Sequence, residues 1–179
     1  MATSAPASLL DARRLREVGA TELEALADVL IDCVEGGASV SFMLPMTRAK
    51  ALAFWRDVAA GVARGERALL VVEDAQGIAG TVQVILAQPE NQPHRADVAK
   101  MLVHRRARRQ GAGAALMGAA EREARAEGKT LLVLDTADDT AARLYARLGW
   151  QAVGTIPRYA LLPGGGECAT TIFYRPLLA

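Results

Sequence analysis

The chain has 179 residues, 51% of them hydrophobic, and a formal net charge of +1. That length and apolar share suit one globular domain with a sizeable core. Near-neutral charge argues against a nucleic-acid binder, and no apolar run approaches the ~20 residues that cross a bilayer.

Met1 to Leu10 is rich in Ala and Ser and lacks both a charged leading segment and a long apolar run. It reads as a loose tail rather than a signal peptide, so a cytoplasmic protein with one domain over 11–179 is expected. A short strand is predicted over Arg13 to Val18. Thr21, with Glu24 three residues on, has the form of a capping box. Leu23, Leu26, Ala27, Leu30, Ile31 and Val34 then recur at helical spacing up to Gly36-Gly37. An apolar, small-residue link over 38–43 follows. Thr47 caps a second helix that carries Ala51, Phe54, Trp55 and Val58 and stops near Gly65.

Runs over 68–73 and 78–87 flank Asp74-Ala75-Gln76-Gly77 and read as a hairpin. After a polar loop, Arg95 to Val103 reads as a strand, and a long helix runs from near Gly111 to about Glu127. Leu131 to Asp135 reads as a buried apolar strand that ends in an acid. Asp138 to Leu148 reads as a helix. Trp150 to Ile156 and Thr170 to Tyr174 read as two last strands. The order β-αα-ββ-β-α-β-α-β-β predicts an α/β fold with a mixed sheet. Cys33 and Cys168 have no metal-ligand or disulfide spacing and read as small buried hydrophobes, so no metal is expected.

The segment Arg108-Arg109-Gln110-Gly111-Ala112-Gly113 lies between a strand and a helix. Glycines admit a close backbone approach, and the first helical N–H groups lack partners within the helix. The helix dipole favours an anion there, and Arg105, Arg106, Arg108 and Arg109 add cations. This segment is read as a pyrophosphate cradle over Arg108 to Ala114. No Gly-Lys-Ser/Thr follows the glycines, which argues against a P-loop.

Arg108, Gly111 and Gly113 fill the Arg/Gln-x-x-Gly-x-Gly/Ala pattern of the GNAT superfamily of acetyl-CoA-dependent N-acetyltransferases, which the chain resembles. A second block, Ala141-Ala142-Arg143-Leu144-Tyr145-Ala146-Arg147-Leu148-Gly149-Trp150, resembles that family's Tyr-x-x-x-Gly-Phe segment, with Trp150 in place of Phe. Three further stretches resemble the tabtoxin-resistance branch, whose members acetylate a β-lactam toxin. They are Glu35 to Met43, Arg95 to Lys100 and Leu134-Asp135-Thr136. That branch usually carries Glu where this chain has Asp97.

The resemblance implies a GNAT-like mixed sheet of about seven strands with about four helices, and acetyl-CoA as co-substrate. It implies cofactor contacts at Met101, Leu102, Val103, Thr136, Ala142 and Tyr145 besides Arg108, Arg109, Gln110, Gly111, Ala112, Gly113 and Ala114. An oxyanion donor is implied near Leu102 or Val103. An acceptor pocket is implied at Ser39, Val40, Ser41 and Phe42, where the alternative is interhelical packing.

Transfer to an amine needs the unprotonated form, and a lysine-type amine has a pKa of ~10.4, so a base is required. Asp97 and Asp135 are the candidates. Asp135 sits at the carboxyl end of its strand, where open α/β sheets bind ligands; its alternative role is a helix cap or turn residue. Asp97 has the alternative of pairing with Arg95 or Lys100. Tyr145 lies at i+4 from Ala141 and faces the sheet; periodicity reads it as core, whereas the resemblance implies an acid that protonates the departing thiolate. The resulting expectation is a small-molecule amine acetyltransferase, in monomeric or homodimeric form, with an antibiotic or β-lactam toxin among possible acceptors. The alternatives are a protein or peptide N-acetyltransferase and a non-catalytic acyl-CoA sensor.

Overall fold

Ala68, Leu70 and Val72 alternate with Leu69 and Val71, and all five are buried. A strand buried on both faces needs cover on both sides, and the computed structural model shows that cover. It describes residues 11–177; the tail expected over 1–10 lies outside them. The elements are β1 (Arg13–Leu15), α1 (Ala20–Glu35), α2 (Arg48–Ala63), β2 (Arg67–Asp74), β3 (Gly77–Ile85), β4 (Arg95–Val103), a 3-10 turn over Arg105–Ala107, α3 (Ala112–Ala126), β5 (Leu131–Thr136), α4 (Asp139–Arg147), β6 (Gln151–Leu161) and β7 (Glu167–Pro176).

The strands form one seven-stranded sheet in the order β1-β2-β3-β4-β5-β7-β6. Only the β4–β5 pair is parallel, so the sheet is mixed as expected. On one face Leu70, Val82, Val84, Leu132 and Phe173 pack with Leu116 and Met117 of α3. On the other, Leu69 and Val71 pack with Leu26 and Leu30 of α1 and Trp55 and Val58 of α2. Each such side chain contributes about 1.5–3 kcal/mol by leaving water. Among the described residues, no helix is long and apolar enough to cross a membrane.

Several boundaries differ from expectation, β3 among them, which ends at Ile85 rather than Ala87. β1 ends at Leu15, three residues early. The first helix starts one residue before Thr21, so Gly19 holds the cap position. The Gly19 N–H donates to the Glu22 carboxylate at 3.0 Å, and this one bond replaces the predicted Thr21–Glu24 box. Thr47 does cap α2, accepting from the Lys50 N–H at 3.2 Å. β6 and β7 extend well past their predicted ends. β6 is an exposed edge strand without apolar alternation, and it carries Pro157 and an Arg158 at φ 55°. Those are edge-strand features that mask a strand in the sequence.

Candidate active site

β4 and β5 pair only where Arg95, Ala96 and Asp97 oppose Leu131, Leu132 and Val133. Beyond that point the two strands part, and a cleft of about 1040 Å³ opens between them. β4 also carries a bulge. Thr81 opposes Leu102 and Gln83 opposes Ala99, so two residues of β4 face the single Val82. Lys100 takes up the extra residue at φ 51°. The bulge inverts the side-chain alternation. Ala96 and Val98 pack toward α3, whereas Leu102 packs toward α1 and α2.

α3 begins at the cleft. Gly111 is its N-cap at φ 87°, a conformation that glycine adopts without strain, and it has no side chain to satisfy the first amides. Ala115 is the first residue whose N–H finds a helical acceptor, the Gly111 carbonyl at 3.0 Å. The amides of Ala112, Gly113 and Ala114 precede it, and all three residues line the cleft. At Gly113 an added Cβ would come within 2.9 Å of Leu144 Cδ2, so glycine lets α4 approach the start of α3.

The arginine run divides by role. Arg105 donates its N–H and its Nε to Asp32, each at 2.8 Å. Arg106 binds Asp74 at 2.8 Å and the Ile78 carbonyl at 2.9 Å. These two guanidiniums are structural anchors rather than the cradle cations expected of them. Arg108 and Arg109 line the cleft, with Arg108 Nε donating to the Val103 carbonyl at 3.1 Å. Gln110, predicted as a cofactor contact, is not among the lining residues; its Nε2 donates to the Arg106 carbonyl at 2.9 Å.

Burial alone pushes the Asp32 carboxyl up, but the Arg105 hydrogen bonds and the nearby His104 outweigh it and hold it below the usual carboxylate value. A lowered folded-state value means that the anchor stabilises the protein at neutral pH and loses that contribution as pH falls through the carboxylate range. Asp32→Ala leaves the Arg105 N–H without its acceptor and is expected to cost about 1–3 kcal/mol in urea unfolding at pH 7. The difference from wild type is expected to shrink in acid; a gap that stays constant with pH contradicts the ionised anchor.

Asp135 lines the cleft and accepts a hydrogen bond from Thr170 Oγ1 at 2.9 Å. The helix-cap alternative for Asp135 falls to Asp138, which accepts from the Thr140 and Ala141 N–H groups at 2.6 and 2.9 Å. Tyr145 lines the cleft at 4% exposure, its ring 5.8 Å from Phe173 and 6.1 Å from Trp150. Its hydroxyl makes no hydrogen bond among the described residues. Burial first, then the Asp138 and Asp135 charges, push its phenol far above the usual tyrosine value, so it is neutral at physiological pH.

Asp97 is not brought to Asp135 as a second cleft carboxylate. It does not line the cleft, pairs with Arg95 and accepts from Gln88 Nε2 at 3.1 Å. That is the Arg95 pairing foreseen as its alternative. Met101, Leu102, Val103 and Thr136 line the cleft, as do Ser39, Val40, Ser41 and Phe42. Ala142 is displaced from its predicted place: it lines a neighbouring pocket of about 260 Å³, while Ala141 and Leu144 face the main cleft. Sequence reasoning missed Lys100, Cys33, Thr170 and the segment Tyr159 to Leu162 at the end of β6 and just past it, all in the lining. No local pattern marks the bulge that turns Lys100 inward.

Residues 65–152 match the family model described as the acetyltransferase (GNAT) domain. Three solved structures illustrate the wider likeness. An N-acetyltransferase from Staphylococcus aureus Mu50 superposes at TM-score 0.77 and 16% identity, covering 94% of this chain and 99% of that one. A GCN5-related N-acetyltransferase from Kribbella flavida gives 0.76 at 22% identity, over 94% and 98%. A phosphinothricin acetyltransferase from Sinorhizobium meliloti, solved with acetyl-CoA, gives 0.77 at 17% identity, over 94% and 88%. The parted strands, the bulge and the glycine turn thus lie in a fold shared with N-acetyltransferases, and residues 65–152 of the chain match the acetyltransferase (GNAT) domain.

Proposed function

We propose that the cleft binds acetyl-CoA and passes its acetyl group directly to the amine of a small molecule. The observation that carries this reading is convergence. The unsatisfied amides of α3, the parted edges of β4 and β5, Asp135 and Tyr145 all face one cleft. Acetyl-CoA supplies an activated acyl group on a good leaving thiol.

The fit begins at its phosphates. An added Cβ at Gly111 would meet nothing within 4 Å, so no side chain or backbone crowds the turn there. The amides of Ala112, Gly113 and Ala114 and the cations of Arg108 and Arg109 suit a pyrophosphate. Met101 to Val103 and Thr136 flank the path inward. The His104 N–H donates to the Ala79 carbonyl of the neighbouring strand at 2.9 Å. Backbone direction alternates along a strand, so Val103 turns its N–H and carbonyl into the gap. That N–H is our oxyanion donor, chosen over that of Leu102.

Asp135 receives the acceptor ammonium and takes its proton, directly or through water. Tyr145, neutral and untied, donates a proton to the departing thiolate. Asp97, held by Arg95 and Gln88, is given no step. Asp135→Asn is expected to lower kcat/KM about a hundredfold. The deficit grows as pH falls, because less amine is then unprotonated in solution; a wild-type to variant ratio that is flat across pH contradicts the base role.

A small acceptor is favoured over a peptide by the cover on the cleft. Ser39 Oγ donates to the Leu161 carbonyl at 3.3 Å, and the Leu44 N–H donates to the Pro163 carbonyl at 2.9 Å. These bonds join the two segments that would have to stand apart to admit a chain. The test is thiol release from acetyl-CoA across β-lactam amino acids, aminoglycosides, polyamines and short peptides. Release with a small-amine class supports the reading; release with peptides alone overturns the small-acceptor part of it. Acetyl-CoA binding without release favours the sensor alternative.

A further inference from the structure

Two opposite charges face the acceptor end of the cleft without pairing. Lys100 is placed there by the β4 bulge. Its ammonium donates to Ser41 Oγ at 3.1 Å and lies 6.0 Å from the centre of the Phe54 ring. Asp135 stands across the gap and binds only Thr170 Oγ1 among the described residues. The two lie near enough for Asp135 to favour the Lys100 charge, yet they form no ion pair within 4.0 Å. Burial works against that charge and lowers the lysine below its ordinary value. A half-buried cation with one neutral hydroxyl partner gains most from an incoming anion.

Of the other charged residues in the lining, Asp138, Arg108, Arg109 and Arg147, the first two have separate duties. Asp138 caps α4. Arg108 holds the Val103 carbonyl. Lys100 instead faces Ser41 on the link between α1 and α2, away from the α3 amides.

We propose that Lys100, with Ser41, holds a carboxylate on the acceptor while Asp135 holds its amine, so that the acceptor is a zwitterionic aminocarboxylate. The proposal rests on the acetyltransferase reading and narrows its acceptor class. Lys100 sets specificity here and takes no part in proton transfer.

The test compares free amino acids, their carboxamides and alkyl amines of matching length as acceptors, with acetyl-CoA binding measured by calorimetry on the same preparations. Wild type is expected to favour the free acids. Lys100→Met is expected to lower kcat/KM for the acids by about 10- to 100-fold, since it removes a charge-assisted hydrogen bond. The same variant leaves the amides nearly unchanged, and Lys100→Arg retains the preference. Equal use of acids and amides by wild type overturns the proposal and leaves the transferase reading standing. An equal loss on both substrates in Lys100→Met marks a merely structural lysine and also overturns it. Acetyl-CoA binding with no turnover of any free amino acid overturns the acceptor class alone. Absence of acetyl-CoA binding overturns the transferase reading and the proposal with it.

Discussion

Gly111→Asp is expected to weaken acetyl-CoA binding about a hundredfold or more while leaving the protein folded. The two effects separate because aspartate suits a helix N-cap, where its carboxylate accepts from the first amides. It also tolerates the left-handed conformation better than most residues. The Gly111 φ of 87° therefore strains an aspartate less than it would most residues, and an added Cβ meets nothing within 4 Å. The charge, however, stands where the pyrophosphate is proposed to sit, and it occupies the amides that would bind it. Like charges 4 Å apart repel by about 4 kcal/mol at an effective dielectric of 20, enough for a hundredfold loss. Gly111→Asn, with the same shape and no charge, is expected to lose much less. Calorimetric titration and a thermal melt on both variants separate these effects. Unchanged acetyl-CoA affinity in Gly111→Asp removes the cradle from the account.

Tyr145→Phe carries the second large effect. The ring contacts with Phe173 and Trp150 survive the change, and the hydroxyl has no hydrogen bond among the described residues to lose. Stability and acetyl-CoA affinity are therefore expected to stay within about twofold of wild type. Turnover is expected to fall about a hundredfold, the lower range for loss of a positioned acid. Burial and the Asp138 and Asp135 charges keep the proton on the oxygen in the resting protein but also make the phenol a weaker acid, so the role rests on its place in the cleft and its untied hydroxyl. A variant with wild-type turnover returns Tyr145 to a packing role. A variant that no longer binds acetyl-CoA makes the hydroxyl a binding group instead.

Much of this was legible in the sequence because local rules and tertiary packing agree there. Gly111 follows a strand and opens a helix, and the structure uses it that way. Thr47 caps α2 as its position predicted. The element order held through all seven strands. The misses are long-range. Whether Asp97 faces a ligand or Arg95 depends on where β4 and β5 stop pairing, and no residue within β4 announces that point. Lys100 enters the cleft because a bulge inverts the strand's parity, which an alternating pattern cannot show. Arg105 and Arg106 read as anion-binding cations from their company, yet Asp32, more than seventy positions away in the chain, and Asp74 claim them. β6 lacked the apolar alternation by which strands are recognised, because neither of its faces is buried.

The most direct test of direct acetyl transfer uses acetyl-CoA labelled in its acetyl carbonyl, the purified protein and a set of small amines that includes free amino acids. Free thiol, acetylated amine and acetylated protein are counted together by mass. The account predicts one labelled amide for each thiol released and no label on the protein. Thiol released without amide, or label carried by the protein itself, contradicts direct transfer in this cleft.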